Sequence, residues 1–249
     1  MRYAGTCTPR RSFSLRKESA MATVSDAALS AARTSVLAAA RLICRAGAIS
    51  RSGHGNISAR IPESDRIVLT AVGGITDLRE EHLALLSLDG QVLEGRMEPR
   101  AAEIVHMHTA VYRRRPDVGG VVHTHAPFVT AYAVANRPLE CFYEAMARFD
   151  IVEPVLVAAY APRGSEESVN NIIAAITDRS KAVLLQNHGI LTFAESPEAA
   201  ARVLIILEEA AELGVLATGL GQPTTIPAHL AAYAQRRARE FAARGAVQA

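Results

Sequence analysis

The stretch formed by residues 121–127 constrains the fold of this chain more than any other. Two valines, the alternating pair His123 and His125, and Pro127 indicate a buried β-strand that ends at the surface. Because side chains at positions i and i+2 of a strand lie on the same face, the two histidines are predicted to project together. Neutral imidazoles held side by side supply two ligands of a transition-metal site. The alternative is that they are ordinary polar residues on an exposed strand face.

A second stretch, residues 182–189, strengthens the metal interpretation. It is an apolar run that ends in Asn187, His188 and Gly189, so a third imidazole is predicted where a strand stops and the chain turns. Three histidines at strand ends are the ligand set of a catalytic zinc site that keeps one coordination position open.

Length and composition favour a single soluble domain. The chain has 249 residues, 49% of them hydrophobic, which is enough to bury a full core. The net charge of +2 gives no basic field of the kind that nucleic acid or an anionic membrane attracts. The three cysteines, Cys7, Cys44 and Cys141, form no Cys-x-x-Cys pair, which fits a reducing, cytoplasmic location and argues against disulfides or a thiolate metal site. No uninterrupted apolar run approaches the length of a membrane span.

The first twenty residues differ from the rest of the chain. They are basic and rich in serine, as in a transit peptide, but Met21 followed by Ala22 also fits a later start of translation. We favour the second interpretation, predict disorder up to about Val24, and assign residues 25–249 to one domain.

Helical and strand patterns alternate along residues 25–249. Helices are predicted at 27–45, 101–112, 128–135, 165–176, 197–216 and 228–244, and strands at 59–61, 66–72, 119–125, 152–157 and 182–188. Residues 85–93 read as a β-hairpin that turns at Asp89-Gly90. Because hairpins and helices occur together, the sequence predicts an α/β fold with a mixed, mostly antiparallel sheet covered by helices. This helical content excludes the all-β folds that also use a His-x-His pair, and the basic final helix is interpreted as a solvated face or subunit contact.

Two glycine-rich segments are candidate ligand contacts. Residues 52–58, which include Gly55 and Asn56, read as a loop whose main-chain N–H groups can hold an anion. Gly73 and Gly74 follow a predicted strand and also allow close approach of a ligand to the backbone. The alternative for the first segment is a simple tight turn.

Taken together, these motifs resemble the class II aldolase/adducin family over roughly residues 27–218. Among its members, the L-fuculose-phosphate and L-ribulose-5-phosphate type enzymes are nearest in pattern. The residues that carry the resemblance are Gly55-Asn56-Ile57-Ser58, the helix from Glu103 to Tyr112 with Arg115-Pro116-Asp117, Val122-His123-Thr124-His125, and Asn187-His188-Gly189.

The resemblance implies a fold, a cofactor and a set of roles. The fold is a three-layer α/β structure, usually assembled as a homotetramer with the site between neighbouring subunits. A Zn²⁺ ion is held by residues equivalent to His123, His125 and His188, and Glu103 carries the proton. Tyr143 matches the tyrosine that acts on the departing aldehyde oxygen, although a half-buried interface tyrosine is an equal alternative.

The implied reaction is retro-aldol cleavage of a small hydroxycarbonyl or sugar-phosphate-like substrate through a metal-stabilised enediolate. Decarboxylation, epimerisation and dehydration of a non-phosphorylated hydroxy-acid belong to the same chemistry and stay open. A non-catalytic domain of adducin type is the hypothesis from another class, and such domains lack the metal ligands.

The first departure from the family is a matter of spacing. In the family, the glutamate and a following histidine lie four residues apart on one helix face, but here His108 is five residues after Glu103. At about 100° per residue, the two side chains would lie about 140° apart on a regular helix. Glu103 is therefore predicted either at an irregular helix start or with an altered partner, and His106 and His108 are predicted to support the structure rather than bind metal.

The second departure concerns hydroxyl donors. Relatives that cleave sugar phosphates carry a hydroxyl-bearing pair before the glutamate and a Thr/Ser-Gly after the strand, where this chain has Ala101-Ala102 and Val72. Arg100 or Arg96 could compensate by charge. A substrate with a carboxylate instead of a phosphate therefore stays open.

Overall fold

The structure, a computed structural model, describes residues 24–247. The predicted N-terminal extension lies outside this range apart from Val24. Eight strands form one sheet: β1 Gly55–Arg60, β2 Arg66–Thr70, β3 Leu83–Ser87, β4 Val92–Glu94, β5 Gly120–Thr124, β6 Val157–Ala158, β7 Ala182–Leu185 and β8 Gly189–Ala194. The helices are α1 Asp26–Ala46, α2 Pro99–Ala102, α3 Val105–Arg114, α4 Pro127–Val134, α5 Glu144–Arg148, α6 Glu166–Ala174, α7 Pro197–Ala217 and α8 Ala228–Val247.

The sheet has the strand order β4-β3-β2-β1-β5-β8-β7-β6. Every neighbouring pair is antiparallel except β6 and β7, which are parallel. The prediction of a mixed, mostly antiparallel sheet is therefore confirmed.

Helices cover both faces of the sheet and divide the core in two. Buried side chains of α1, α4, α5 and α7 pack on one face, and those of α3 and α6 pack on the other. The division follows from the alternation of strand side chains: in β5, Val122 contributes to the first core and Val121 to the second. His123 therefore projects towards the α3 side, two residues beyond Val121.

The predicted helix 27–45 corresponds to α1, whose ends follow from its sequence. The side chain of Ser25 accepts a hydrogen bond from the amide of Ala28 at 3.2 Å, and Gly47 ends the helix in the left-handed conformation with φ 69°. Of the helices in residues 24–247, α1 alone is long and apolar enough to cross a membrane by length and composition, a point that the sequence analysis missed. In this structure, one face of α1 contacts α7, β1 and β2.

Three predicted elements differ in the structure. Gly55 and Asn56, predicted in a loop, belong to β1, because the strand is paired from its first residue with β5. The strand predicted at residues 152–157 was wrong except for its last residue: Pro154 has no amide to donate, and Val155 forms only an isolated bridge with Leu139. The single helix predicted at 101–112 is two helices, α2 and α3, separated by residues 103–104.

Candidate metal centre

The strand β5 delivers two histidines to one edge of the sheet. His123 lies near its end and His125 follows just beyond it, on the same face. Thr124 pairs with Ile190 in β8, so the turn that precedes β8 lies beside the end of β5. His188 is in that turn, and the three imidazoles meet although His125 and His188 lie 63 positions apart in the sequence.

The turn between β7 and β8 is shaped by the two residues that flank His188. Asn187 has a positive φ of 57°, a conformation that asparagine tolerates better than most residues. Gly189 leaves space for its neighbours, because a Cβ atom there would lie 2.5 Å from the carbonyl oxygen of Thr124 and 2.9 Å from Cδ2 of His125. Asn187 therefore suits the positive φ before His188, and Gly189 suits the close packing after it.

The imidazoles are close enough to share one cation. One ligand nitrogen from each histidine lies within 4.8 Å of the other two, and Nε2 of His123 lies 3.1 Å from Nε2 of His125. The ring centroids are 4.7 to 4.9 Å apart. Three nitrogens bound to a tetrahedral zinc at about 2.0–2.1 Å lie about 3.3 Å from one another, so the donor set fits a zinc ion after small side-chain adjustments.

The protonation state of the histidines also suits a metal. Nδ1 of His123 donates to the carbonyl oxygen of Ile190 at 2.8 Å, which leaves the lone pair on Nε2. Burial is the main cause that lowers the pKa of His123 well below its ordinary value, with further lowering by the other two histidines. Burial likewise lowers the pKa of His188, and that of His125 to about 4. All three rings are therefore neutral near pH 7, as ligands must be.

Asn56 lies directly opposite His123 in the β1–β5 pairing and is held by a buried relay. Tyr112 donates to Ser58 Oγ at 2.8 Å, Ser58 donates to Nδ1 of His108 at 2.7 Å, and Nε2 of His108 donates to Oδ1 of Asn56 at 2.6 Å. All these donors and acceptors match when His108 is neutral, and burial lowers its pKa to about 3. The relay fixes the Asn56 amide next to the metal-centre histidines and gives His108 the supporting position that was predicted.

The backbone of the predicted glycine contacts is partly engaged within the protein. The amide of Gly55 donates to the carbonyl oxygen of Gly73 at 3.3 Å. Gly74 forms an isolated bridge with His54. A Cβ atom at Gly55 would lie 2.9 Å from the carbonyl oxygen of His123, so this glycine also permits β1 to approach β5.

Glu103 lies at the break between α2 and α3. It is the residue that follows α2, and Ile104 precedes the first residue of α3, so the extra residue between Glu103 and His108 is absorbed at this joint. Its carboxylate is about half exposed and forms an ion pair with Nε of Arg163 at 2.9 Å. Of the two alternatives that the spacing left open, the irregular helix start is the one present in the structure.

A cleft of about 390 Å³ joins Glu103 to His125 and His188. Its lining includes Glu103, His125, His188, Tyr160 and Arg163. Neither Tyr160 nor Arg163 was predicted in the site. Both lie in the loop between β6 and α6, and this loop contains no sequence motif. A larger cavity of about 960 Å³ is lined by residues of α1, the β1–β2 turn and the start of α7, and contains none of the predicted site residues.

Two further predicted residues, Arg100 and Tyr143, are not among those that line the cleft. Arg100 is exposed on α2, and its carbonyl oxygen accepts a hydrogen bond from Arg163. Tyr143 precedes α5 on the opposite side of the sheet from α3, and its hydroxyl donates to Glu209 on α7 at 3.1 Å. That hydrogen bond is the main cause that raises the pKa of Tyr143. Tyr143 is not among the residues that line the cleft of its own protomer.

Comparison with known proteins identifies the family. Residues 34–215 match the family model described as the class II aldolase and adducin N-terminal domain. The chain is 31% identical over 199 residues to the 5-methylthioribulose-1-phosphate/5-deoxyribulose-1-phosphate aldolase of Rhodospirillum rubrum, covering 80% of this chain and 86% of that protein. It is 28% identical over 169 residues to an L-fuculose phosphate aldolase of Methanococcus maripaludis, covering 68% and 87%.

A solved structure agrees with this assignment. The L-fuculose 1-phosphate aldolase of Glaciozyma antarctica superposes with a TM-score of 0.70 at 25% identity, over 89% of this chain and 86% of that one. With the family model spanning most of the described residues, the chain belongs to the class II aldolase and adducin N-terminal domain family.

Proposed function

We propose that this protein is a zinc-dependent aldolase that cleaves a carbon–carbon bond of a small hydroxycarbonyl substrate. The observation that carries the proposal is the convergence of His123, His125 and His188, whose ligand nitrogens lie within 4.8 Å of one another. His125 and His188 line a cleft that Glu103 also lines. The names of the relatives support a lyase that acts on a sugar phosphate.

The histidines would hold the metal as neutral ligands. When bound, zinc supplies a Lewis acid that stabilises negative charge on the substrate oxygens left after the bond breaks. Nδ1 of His123 stays bonded to Ile190, so the tautomer needed for ligation exists before any metal arrives. The ligands are thus oriented in advance by the fold.

The other residues bind the substrate and move protons. The Asn56 amide is held by His108 and, with the main chain near Gly55, Gly73 and Gly74, contacts the polar end of the substrate. Glu103 is the group that takes or delivers the proton at carbon, since it is a carboxylate within the same cleft.

Tyr143 is proposed to act on the departing aldehyde oxygen. Because it lies across the sheet from α3 in its own protomer, this role requires a homo-oligomer, proposed as a tetramer, in which Tyr143 reaches the cleft of a neighbouring copy. Within that assembly, its hydrogen bond with Glu209 would fix the direction of the phenol.

One observation keeps a second reaction of the same chemistry in view. Ala101 and Ala102 replace hydroxyl-bearing residues expected of enzymes that hold a sugar phosphate, while Arg163 lies nearby. A decarboxylase, epimerase or dehydratase acting on a non-phosphorylated hydroxy-acid would use the same ligands and the same Glu103.

The experiment is metal analysis combined with a substrate screen. Purified protein is expected to contain about one zinc per chain and to cleave at least one member of a panel of ketose phosphates and hydroxy-acids, with activity lost after chelation and restored by zinc. His123→Ala is expected to lose both zinc and activity. Glu103→Gln is expected to keep zinc while its rate falls about 10²–10⁴-fold. His106→Ala, a change at an exposed histidine on α3, serves as the matched control and should keep both. Full activity in His123→Ala would refute the site.

A further inference from the structure

The cleft also contains an arginine that takes no part in the proposed reaction. Arg163 lies in the loop before α6, and its guanidinium forms an ion pair with Glu103 and donates to the carbonyl oxygen of Arg100. Its positive charge also contributes to the lowered pKa of both His125 and His188. Arg163 is therefore the cation of the cleft, next to both the proton carrier and the metal ligands.

Arg163 contacts the chain segment that immediately precedes Glu103. The carbonyl that it contacts belongs to Arg100, the residue immediately before Ala101 and Ala102. The side chains of Ala101 and Ala102 offer no hydrogen-bond donor to a substrate anion. A guanidinium beside the same segment supplies donors and charge together.

Arg163 also has unused hydrogen-bonding capacity. A guanidinium carries five N–H groups in a planar fork, and the contacts within residues 24–247 engage two of its nitrogens, Nε with Glu103 and Nη2 with Arg100. In this ion pair, the side chain of Arg163 is 45% exposed and that of Glu103 is 51% exposed. A pair this exposed contributes little stability, so a ligand can displace it.

From this geometry we infer that Arg163 recognises an anionic group of the substrate, a phosphate or a carboxylate, by exchanging its ion pair with Glu103 for one with the ligand. The exchange has two consequences. The substrate gains a charge-assisted, forked contact, and Glu103 is released from its partner at the moment when a substrate is present. This inference rests on the proposed function, because it concerns the same cleft and the same proton carrier.

The test compares three hydroxyketones that share the group expected to bind the metal. Dihydroxyacetone is neutral, hydroxypyruvate carries a carboxylate and dihydroxyacetone phosphate carries a phosphate. Their binding to the zinc-loaded full-length protein is measured by calorimetry for the wild type, Arg163→Met, Arg163→Lys and the control Arg179→Met. Arg179 forms a comparable exposed ion pair with Glu153, outside the cleft.

The wild type is expected to bind at least one anionic probe more than about tenfold tighter than dihydroxyacetone. Arg163→Met should lose this preference without weakening dihydroxyacetone, Arg163→Lys should keep part of it, and Arg179→Met should keep all of it. The anionic probe that is favoured identifies the substrate group as carboxylate or phosphate.

Two results would overturn the inference in distinguishable ways. If the preference for anions is absent from the wild type or survives in Arg163→Met while dihydroxyacetone still binds, Arg163 is not the anion-binding residue and the proposed aldolase function stands. If none of the three hydroxyketones binds the zinc-loaded protein, the proposed function fails and this inference fails with it.

Discussion

We expect the His108→Gln variant to be less stable than the wild type at neutral pH and more stable than the wild type at acidic pH. His108 is completely buried and joins Ser58 to Asn56 through both of its ring nitrogens. The hydrogen bonds need a neutral imidazole, because Nδ1 must accept from Ser58. Glutamine offers an amide donor to Asn56 but cannot reproduce both contacts in the same plane, so at pH 7 the variant should be less stable by about 2 kcal/mol.

The magnitude at acidic pH follows from the lowered pKa. In the unfolded chain, histidine titrates near pH 6.5, whereas burial lowers the pKa of His108 to about 3 in the folded protein. The contribution of neutral His108 is fully present above about pH 6.5 and is lost as pH falls towards about 3, because only the unfolded chain binds the proton there. Each pH unit in this window costs about 1.4 kcal/mol. From pH 7 to pH 4, the wild type should lose about 3 kcal/mol through this residue, so the variant becomes more stable by about 1 kcal/mol.

The assay is urea denaturation of zinc-free wild type and His108→Gln at pH 7, 6, 5 and 4. The metal-centre histidines also titrate, but they are present in both proteins, so the difference between the two isolates His108. His106→Gln, at an exposed histidine, is the control and should follow the wild type at every pH. A difference between wild type and His108→Gln that stays constant from pH 7 to pH 4 would refute the reasoning.

Two further substitutions test how the fold holds the metal centre. Gly189→Ala would bring a methyl group 2.9 Å from the His125 ring and should raise the zinc Kd about 10–100-fold in a competition assay with a chromophoric chelator, whereas Gly219→Ala, where a Cβ atom meets only an ordinary contact, should leave it unchanged. The two carboxylate oxygens of Glu208 each accept one of the first two amides of α4, at 2.9 Å. Glu208→Gln replaces one of these acceptors with an NH₂ group, so the free energy of unfolding from urea titration should fall by about 1 kcal/mol. The exposed Glu212→Gln should change it by less than about 0.5 kcal/mol, and equal effects of the two would contradict this role of Glu208.

The parts of the fold that were predictable are those in which the local pattern and the tertiary structure agree. The helix α1 has a capping serine, a run of alanines and a final glycine, and both of its ends were predicted to within a residue or two. The histidines were found because His-x-His at a strand end and Asn-His-Gly at a turn each have a local geometric meaning. The pairing of β5 with β8 lies beyond such patterns and was not predicted; the resemblance to the family implied only that the three histidines share one metal ion.

The errors have physical causes that a linear sequence hides. The segment from Ala101 to Val105 contains good helix formers, so propensity alone could not indicate a break; the five-residue interval between Glu103 and His108 was the one available signal. Arg163 was not predicted in the site because it lies 60 positions from Glu103, its ion-pair partner, in the sequence. A lone arginine in a loop has no periodicity that could indicate a partner.

The joint at residues 103–104 lies between a buried part of the site, the relay that contains His108, and an exposed part, the carboxylate of Glu103. His108, on α3, is tied into the buried relay and the sheet, whereas Glu103 lies at the exposed end of the short helix α2. An inserted or deleted residue at this joint changes the position of the Glu103 carboxylate and leaves the three metal-centre histidines in place. Libraries that vary the length of this joint would therefore explore new proton-transfer geometries on an unchanged scaffold, which offers a route by which one architecture can acquire different reactions.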